Sequence, residues 1–237
     1  MTIEPLYVNT PRIWRGHFGV FKKGIYDEIK SKVEEYPKEK LRSRELNNHS
    51  FSTAKIDEYR PHQLEALVPF YRQLYADILQ LHFQFFNAVT PGPQKMEPVF
   101  DTGFYSIADE YSPDEFVDKL NKDPDWARDV YKKLFLIERS WFNLSYSEGQ
   151  VLPHNHSGIV SYVCAYYVKV PINGGRFLVR TRNPNRIEGD WKDDMIPIEV
   201  KSGDYLIFPG DLVHGSEPNE SNEERMVITT NIVLKHY

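Results

Sequence analysis

Two spacings of apolar residues divide the chain near residue 134. Before this point, apolar positions recur every three or four residues, which is the period of an amphipathic helix. The longest such stretch runs from His62 to Thr90, and Pro91 and Gly92 follow it. Because proline and glycine end helices, the spacing predicts one long helix over residues 62–90.

Shorter helices are predicted on both sides of the long one. The first runs from about residue 24 to residue 36. Residues 112–115 combine an N-cap serine, a proline at the first helical position and a capping-box glutamate. They predict a helix that continues through Leu120. Residues 123–124, Asp-Pro, predict the start of another.

Beyond residue 134 the pattern changes to short runs rich in β-branched and aromatic residues, separated by turns. The runs are LFLIERSWFNLSY, GIVSYVCAYYVKV, RFLVRTR, MIPIEV, DYLIFP and RMVITTNIVL. Helices followed by many strands predict a mainly β fold with α, a sandwich or barrel backed by helices. We expect one domain over residues 1–237, in which residues 1–133 form a mostly helical support region and residues 134–237 the β core.

Composition narrows the class of protein. With 41% hydrophobic and 27% charged residues the chain is globular, and its net charge of −5 argues against nucleic acid as the main partner. No run of 18 apolar residues and no secretory-type N-terminus is found, so we expect a cytoplasmic protein without a membrane partner. Cys164 is the single cysteine, which excludes an intrachain disulfide.

Three of the eight histidines stand in a pattern that suits a metal. His154 and His156 are separated by one residue, so on a strand both side chains would lie on the same face. His214 follows a later strand-type run and could complete the set from a neighbouring strand. The close pair by itself is weak evidence, because short motifs match often by chance.

Arg225 opens the otherwise apolar last run, RMVITTNIVL. A guanidinium in such a place commonly binds an anion, since its planar fork matches a carboxylate with two hydrogen bonds. The alternative is a residue at a strand end that pairs with Glu223 or Glu224 on the surface.

Together these residues resemble the pattern of the 2-oxoglutarate/Fe(II)-dependent oxygenases, and within them a branch found in bacteria and their phages. In that branch W-x-N is followed by H-x-H, SG-x-x-Y, a glycine turn, G-x-L-x-x-F-P-x-x-x-x-H and R-x-x-x-x-x-N. The matching positions are Trp141-Phe142-Asn143, His154-Asn155-His156, Ser161-Tyr162 without the glycine, Gly174-Gly175, residues 203–209 leading to His214, and Arg225 leading to Asn231. The resemblance covers about residues 135–234.

The resemblance implies a double-stranded β-helix (jelly roll) core flanked by N-terminal helices. His154, His156 and His214 would be the catalytic metal centre, and would leave three positions on Fe(II) for 2-oxoglutarate and O2. Arg225 would bind the far carboxylate of 2-oxoglutarate, with Asn143 or Tyr162 as a further hydrogen-bond partner. The implied activity is hydroxylation of an unidentified substrate, a small molecule or a protein side chain. A homodimer is left open.

One position departs from the family pattern. The usual iron site has the spacing H-x-D/E…H, and His156 stands where the carboxylate is expected. Asp204 and Asp211 are the nearby alternatives, but Asp204 sits in a turn and Asp211 suits an outer contact to His214. We therefore expect three histidine ligands.

Two other functions remain open at this point. A cupin-like metal-binding protein or an isomerase could use the same three imidazoles without 2-oxoglutarate, and an inactive homologue could keep the fold as an interaction module. Arg225 discriminates against the first, because a cupin has no general need for a cation at that position.

Overall fold

The computed structural model describes residues 4–7, 11–19, 23–57, 60–89, 111, 113–156, 158–180 and 195–235. The chain groups into two compact units. One contains the described residues up to Leu64 and those from Ile137 to Ile232. The other contains those from Glu65 to Leu136 and from Val233 onwards.

The first unit is built on two β-sheets. Its strands are β1 (Glu4–Tyr7), β2 (Pro11–His17), β3 (Ser50–Ser52), β4 (Phe135–Ser145, its first two residues in the second unit), β5 (Tyr162–Lys169), β6 (Phe177–Arg180), β7 (Met195–Ile198), β8 (Asp204–Pro209), β9 (His214–Ser216) and β10 (Arg225–Leu234, its last two residues in the second unit). The large sheet has the order β1-β2-β8-β5-β10-β4-β3, and the small sheet the order β7-β6-β9. Helix α1 (Lys23–Glu34) also belongs to this unit.

The core of the first unit lies between the two sheets. Strand β5 pairs antiparallel with β8 on one side and β10 on the other, so alternate side chains point to opposite faces. One cluster joins both sheets: Ile13, Val163, Ala165, Tyr167, Leu206 and Phe208 from the large sheet, and Phe177, Val179 and Ile198 from the small one. Because β5 is buried on both faces, its sequence is apolar without alternation.

The second unit contains three helices, α2 (Val68–Val89), α3 (Pro113–Lys122) and α4 (Pro124–Leu134). Asp123 caps α4, since its side chain accepts a hydrogen bond from the backbone nitrogen of Trp126 at 3.0 Å. The apolar faces of the helices are buried, and the rings of Tyr75 and Tyr131 stack with their centres 4.3 Å apart. None of the described helices is long and apolar enough to cross a membrane.

The predicted helices are confirmed, with shifted ends. The long helix begins at Val68 instead of residue 62, because residues 61–67 form two 3₁₀ turns, Pro61–Gln63 and Glu65–Leu67. Proline is accepted in the first turn of a helix but not inside it, so Pro69 marks the true start.

The predicted strands are also confirmed, apart from residues 181–194, which lie outside the described part. Four strands escaped the sequence patterns, namely β1, β2, β3 and β9. The sequence of β2, PRIWRGH, carries a proline and a glycine that obscure a strand, yet it pairs with β8 along four residues. A Cβ at Gly16 would overlap the ring of Tyr205, so glycine is required at this crossing.

The support region predicted for residues 1–133 is thus divided between the two units, and it supplies three strands to the large sheet. These short strands are not apparent from local patterns, because short strands are stabilised by partners distant in sequence. A single domain over the whole chain stays a prediction.

Candidate metal centre and its cavity

The structure brings His154, His156 and His214 together in the first unit. Each imidazole offers one nitrogen, and these atoms lie within 4.8 Å of one another. Histidine, cysteine and carboxylate side chains can all bind metals. Among the described residues, these three histidines form the one group of such side chains that could hold a metal ion. The ring centres are 4.5 to 5.2 Å apart.

Backbone pairing fixes two of these residues opposite each other. His154 donates its amide to the carbonyl of His214 at 2.9 Å, and His214 donates back to His154 at 2.8 Å. His156 donates its amide to the carbonyl of Gly210 at 2.8 Å. The His154–His156 segment was expected to be a regular strand. It is held instead by an isolated β-bridge and individual backbone hydrogen bonds.

Hydrogen bonds determine which ring nitrogen carries the proton. Nδ1 of His154 lies 2.8 Å from the carbonyl of Leu152, and Nδ1 of His214 lies 2.9 Å from that of Leu212. A carbonyl oxygen only accepts, so each Nδ1 carries the hydrogen. In a neutral ring the other nitrogen, Nε2, then carries the lone pair that can bind a metal.

Burial keeps these rings neutral. It lowers the pKa of His154, and it lowers the pKa of His156 to about 4. Burial, followed by the two neighbouring imidazoles, lowers the pKa of His214 well below its usual value. Neutral imidazole is the form that binds a metal, so no proton has to be displaced near neutral pH.

The Nε2 atoms of His154 and His156 lie 3.2 Å apart. If both are lone pairs, they repel each other unless a cation lies between the rings. Two metal–nitrogen bonds of about 2.1 Å at a right angle place their nitrogen atoms about 3 Å apart. The donor set therefore fits a divalent metal.

Neither aspartate considered as a carboxylate ligand reaches this cluster. Asp204 is buried at the start of β8, where its carboxylate binds Nδ1 of His17 at 3.0 Å and the amide of Lys201 at 3.1 Å. Asp211 is exposed and does not line the cavity around the histidines.

The three histidines lie in a cavity of about 570 Å³ that Arg225 also lines. The Arg225 side chain is only 2% exposed. Its Nη1 donates to the carbonyl of Gly174 at 2.9 Å and of Gly175 at 3.2 Å, and its Nη2 donates to Ser216 Oγ at 2.7 Å. No carboxylate among the described residues forms an ion pair with it, and its Nε has no partner there.

Gly175 makes room for this guanidinium. Its φ is +81°, and a Cβ there would lie 3.0 Å from Arg225 Nη1 and 2.6 Å from the carbonyl of Glu217. The carboxylate of Glu217 is itself occupied, because it accepts from the backbone nitrogen, Nε and Nη2 of Arg176.

The surface alternative for Arg225 is wrong. Glu224 binds Lys30 at 2.7 Å and also Tyr26, while Glu223 pairs with Lys169 at 3.0 Å. Arg225 is instead a buried cation that lines the cavity, and its Nε has no partner among the described residues. Such a group is costly without an anion.

The two further residues expected near 2-oxoglutarate are placed differently. Asn143 lines the cavity and donates its amide to Thr229 Oγ1 at 3.1 Å. The structure does not bring Tyr162 to this cavity. On β5, Ala165 and Tyr167 line it, and Tyr162 has the opposite parity along the strand.

Four other cavity residues, Glu138, Trp141, Tyr167 and Asn231, were missed as parts of the site. Tyr167 lines the same cavity as Arg225, and Trp141 stacks on His156 with ring centres 5.7 Å apart. Glu138 accepts a hydrogen bond from Asn231. Trp141 and Asn231 were visible as motif positions, but nothing in the sequence marked Glu138 or Tyr167.

Comparison with known proteins finds a family model that matches part of the β core. Residues 139–231 match the family model described as "Putative 2OG-Fe(II) oxygenase". Among curated proteins, no sequence matches the chain.

Several solved structures are similar at low identity. An oxidoreductase of the 2OG-Fe(II) oxygenase family from Burkholderia pseudomallei is 13% identical over 52% of this chain and 58% of its own, with a TM-score of 0.37. HygX from Streptomyces hygroscopicus, with nickel and 2-oxoglutarate bound, is 11% identical over 95% and 84%, with a TM-score of 0.49. A prolyl-4-hydroxylase from Pseudomonas putida is 14% identical over 84% and 97%, with a TM-score of 0.35.

The chain spans little more than half the length of the Burkholderia protein, and TM-scores below 0.5 carry no weight for activity or substrate. The family rests on the match of residues 139–231. Through these residues the chain is similar to the 2-oxoglutarate/Fe(II)-dependent oxygenases, whose enzymes use Fe(II) and take 2-oxoglutarate as co-substrate.

Proposed function

We propose that the chain is an Fe(II)- and 2-oxoglutarate-dependent dioxygenase that hydroxylates a primary substrate. One observation carries the proposal: three neutral imidazoles converge in the same cavity as a buried guanidinium that has no carboxylate partner among the described residues. A metal satisfies the first group, and a carboxylate of 2-oxoglutarate satisfies the second.

His154, His156 and His214 would hold the metal through Nε2. Their Nδ1–H groups are already bound to Leu152, Asn231 and Leu212, so the rings are oriented before a metal arrives. Bound Fe(II) would supply the activation of O2, coupled to oxidation of 2-oxoglutarate to succinate and CO2. Three protein ligands leave room for the co-substrate and O2.

Arg225 would bind the far carboxylate of 2-oxoglutarate. Its Nε is buried and has no partner among the described residues, and burial strengthens a charge-assisted hydrogen bond. Ser216 holds Nη2 in place, and Asn143 and Tyr167 offer polar groups in the same cavity. A cupin-like metal protein or an isomerase would have no use for this cation.

The two sheets are consistent with a double-stranded β-helix, which we include in the proposal. From β4 onwards the chain passes back and forth between them: β4, β5, β8 and β10 belong to the large sheet, and β6, β7 and β9 to the small sheet. The isolated bridge between His154 and His214 places the segment before β5 next to β9. Two facing sheets connected in this way suit a jelly roll.

The primary substrate stays open. The cavity volume falls in the usual range for small-molecule sites, and the lining includes both acidic and basic side chains. The acidic residues are Glu45 and Glu138, and the basic ones are Arg44, Lys55 and Arg139.

The proposal is tested by anaerobic titration of the purified protein with Fe(II) and then with 2-oxoglutarate. Chelation of the metal by the co-substrate is expected to produce a charge-transfer band in the visible region. In the Arg225→Ala variant the band should be lost while Fe(II) still binds. Arg176→Ala is the matched control, because the fork of Arg176 is already occupied by Glu217.

Two results would overturn the proposal. A protein that binds Fe(II) but not 2-oxoglutarate would be of the cupin-like or isomerase class. A protein that binds no Fe(II), although it is folded, would be an inactive relative.

A further inference from the structure

A chain of two hydrogen bonds connects a carboxylate to the imidazole that replaces one in the family pattern. Nδ1 of His156 lies 2.6 Å from Asn231 Oδ1, and Asn231 Nδ2 lies 3.2 Å from Glu138 Oε2. We infer that Asn231 and Glu138 are positioning residues that supply, through this chain, the negative charge which the three-histidine site lacks. The inference rests on the proposed function, because it concerns the same metal.

The direction of both hydrogen bonds follows from Glu138. A carboxylate accepts and does not donate, so the amide nitrogen of Asn231 must face Glu138. The amide oxygen of Asn231 then faces His156 and accepts from Nδ1–H. This leaves Nε2 of His156 without a hydrogen, as metal binding requires.

Neighbouring residues hold the hydrogen-bonded side chains of His156, Asn231 and Glu138 in place. Asn231 is 8% exposed on β10, and the ring of Trp141 lies nearly parallel to that of His156, at an interplanar angle of 16°. Glu138 and Trp141 are both on β4, which is a neighbour of β10 in the large sheet. The ring of His156 thus has a stacking partner and a fixed hydrogen-bond partner.

His156 differs from its two companions in this respect. His154 and His214 donate Nδ1–H to backbone carbonyls, which are neutral. His156 donates to an amide that is polarised by a carboxylate. Polarisation along such a chain makes the imidazole a more basic ligand, in the way that a carboxylate bonded directly to a ligating histidine does. The effect therefore falls on the position where the family has its acidic ligand.

Glu138 has a second neighbour, since its Oε1 lies 3.9 Å from Nε of Arg139, and its side chain is 33% exposed. That distance is too long for a hydrogen bond. The bonded oxygen, Oε2, is the one that faces Asn231.

The test exchanges charge without changing shape. In Glu138→Gln the side chain can still accept from Asn231, but its charge is gone. We expect the affinity for Co(II), measured by titration of the visible absorption of the bound ion, to fall by about 10-fold. This is the lower end of the range for partners of a ligating histidine, because an amide lies between. The Fe(III)/Fe(II) potential should rise.

The double variant Glu138→Gln/Asn231→Asp exchanges the carboxylate and the amide. The carboxylate would then accept directly from His156, and the new amide would donate to it. We expect Co(II) affinity at or above that of the wild type and an Fe(III)/Fe(II) potential below it. A merely structural role predicts no such reversal, because both variants keep the same two hydrogen bonds.

Glu45→Gln is the matched control. Glu45 lines the same cavity, and its carboxylate is bonded to the side chains of Ser43 and Arg44 instead of a histidine partner. Its removal should change Co(II) affinity by at most about twofold, as expected for a screened charge. An equal loss of Co(II) affinity in Glu45→Gln and Glu138→Gln would overturn the inference. The loss would then be explained by the removal of any negative charge from the cavity.

The two proposals fail in distinguishable ways. If the wild type binds no Co(II), both are wrong. If the wild type binds Co(II) and Glu138→Gln binds it equally well, only the role of the hydrogen bonds from Glu138 through Asn231 to His156 is wrong. If Glu138→Gln unfolds at a lower temperature, the double variant still decides, since restored affinity requires the charge.

Discussion

The three clustered histidines each use Nδ1 as the donor nitrogen. Two of them donate to the carbonyl two residues earlier in their own chain segment, at Leu152 and Leu212. The local backbone therefore determines the tautomer of His154 and His214 wherever these segments adopt this shape. His156 depends instead on Asn231, which is distant in sequence.

Arg225→Lys tests whether the planar fork, and not only the charge, is needed. A lysine cannot make the hydrogen bond that Nε of Arg225 offers. A charge-assisted hydrogen bond contributes about 1.5–3 kcal/mol, so the dissociation constant of 2-oxoglutarate should rise by roughly 10- to 100-fold. Calorimetric titration of the Co(II)-loaded protein measures it.

The affinity for Co(II) itself should stay unchanged in Arg225→Lys, which verifies that the variant folds. Arg176→Lys is the control, and we expect 2-oxoglutarate to bind it as tightly as the wild type. Equal affinity for 2-oxoglutarate in Arg225→Lys and the wild type would rule out a hydrogen bond from Nε of Arg225 to the co-substrate.

Among the elements, α2 carries a histidine that links stability to pH. His82 is 5% exposed and packs edge-on against the ring of Phe135 at 5.1 Å. Burial lowers its pKa to about 4. In the unfolded chain a histidine has a pKa near 6.5. Between about pH 4 and pH 6.5, His82 is therefore protonated in the unfolded state but neutral in the folded state.

Consequently, the stability that His82 contributes is complete above about pH 6.5 and is lost as the pH falls towards 4. In His82→Leu this part of the pH dependence should disappear. Between pH 7.5 and pH 5, the wild type should lose roughly 2 kcal/mol more of its free energy of unfolding than the variant does.

Urea unfolding at the two pH values, followed by circular dichroism, measures the difference. His49→Ala is the control, because it removes a histidine that is exposed, whereas His82 is buried. The same pH dependence in His82→Leu and the wild type would show that His82 does not titrate in this range.

At the scale of the whole molecule, the candidate site joins separate parts of the chain. His154 and His156 precede β5, His214 begins β9 and Arg225 begins β10. A metal that binds the folded state but not the unfolded chain stabilises every element that carries a ligand.

Co(II) at 100 times its dissociation constant should therefore raise the free energy of unfolding by about 2.7 kcal/mol. Thermal unfolding with and without Co(II) measures the shift, and a chelator should reverse it. His214→Ala should show no shift. A shift that persists in His214→Ala would place the metal elsewhere.

Much of the site was readable from the sequence because its signals are local. Two signals can be recognised in the sequence alone: the spacing of His154 and His156, and the cation at the head of the last strand. Tyr162 was chosen by motif position, and Tyr167 was overlooked, because the face to which a side chain points depends on the parity of the strand. A shift of one residue exchanges the two faces.

The sequence by itself determined the helices, the strands after residue 134 apart from β9, and the residues able to bind a metal and an anion. These depend on periodicity and on side-chain chemistry, which are properties of neighbouring residues. Only the tertiary structure decided that β1, β2 and β3 join the large sheet, that Arg225 is buried without a carboxylate partner among the described residues, and that Glu138 reaches His156 through Asn231. Those facts depend on pairing between distant segments, whose free energy comes from packing and hydrogen bonding that no local pattern records.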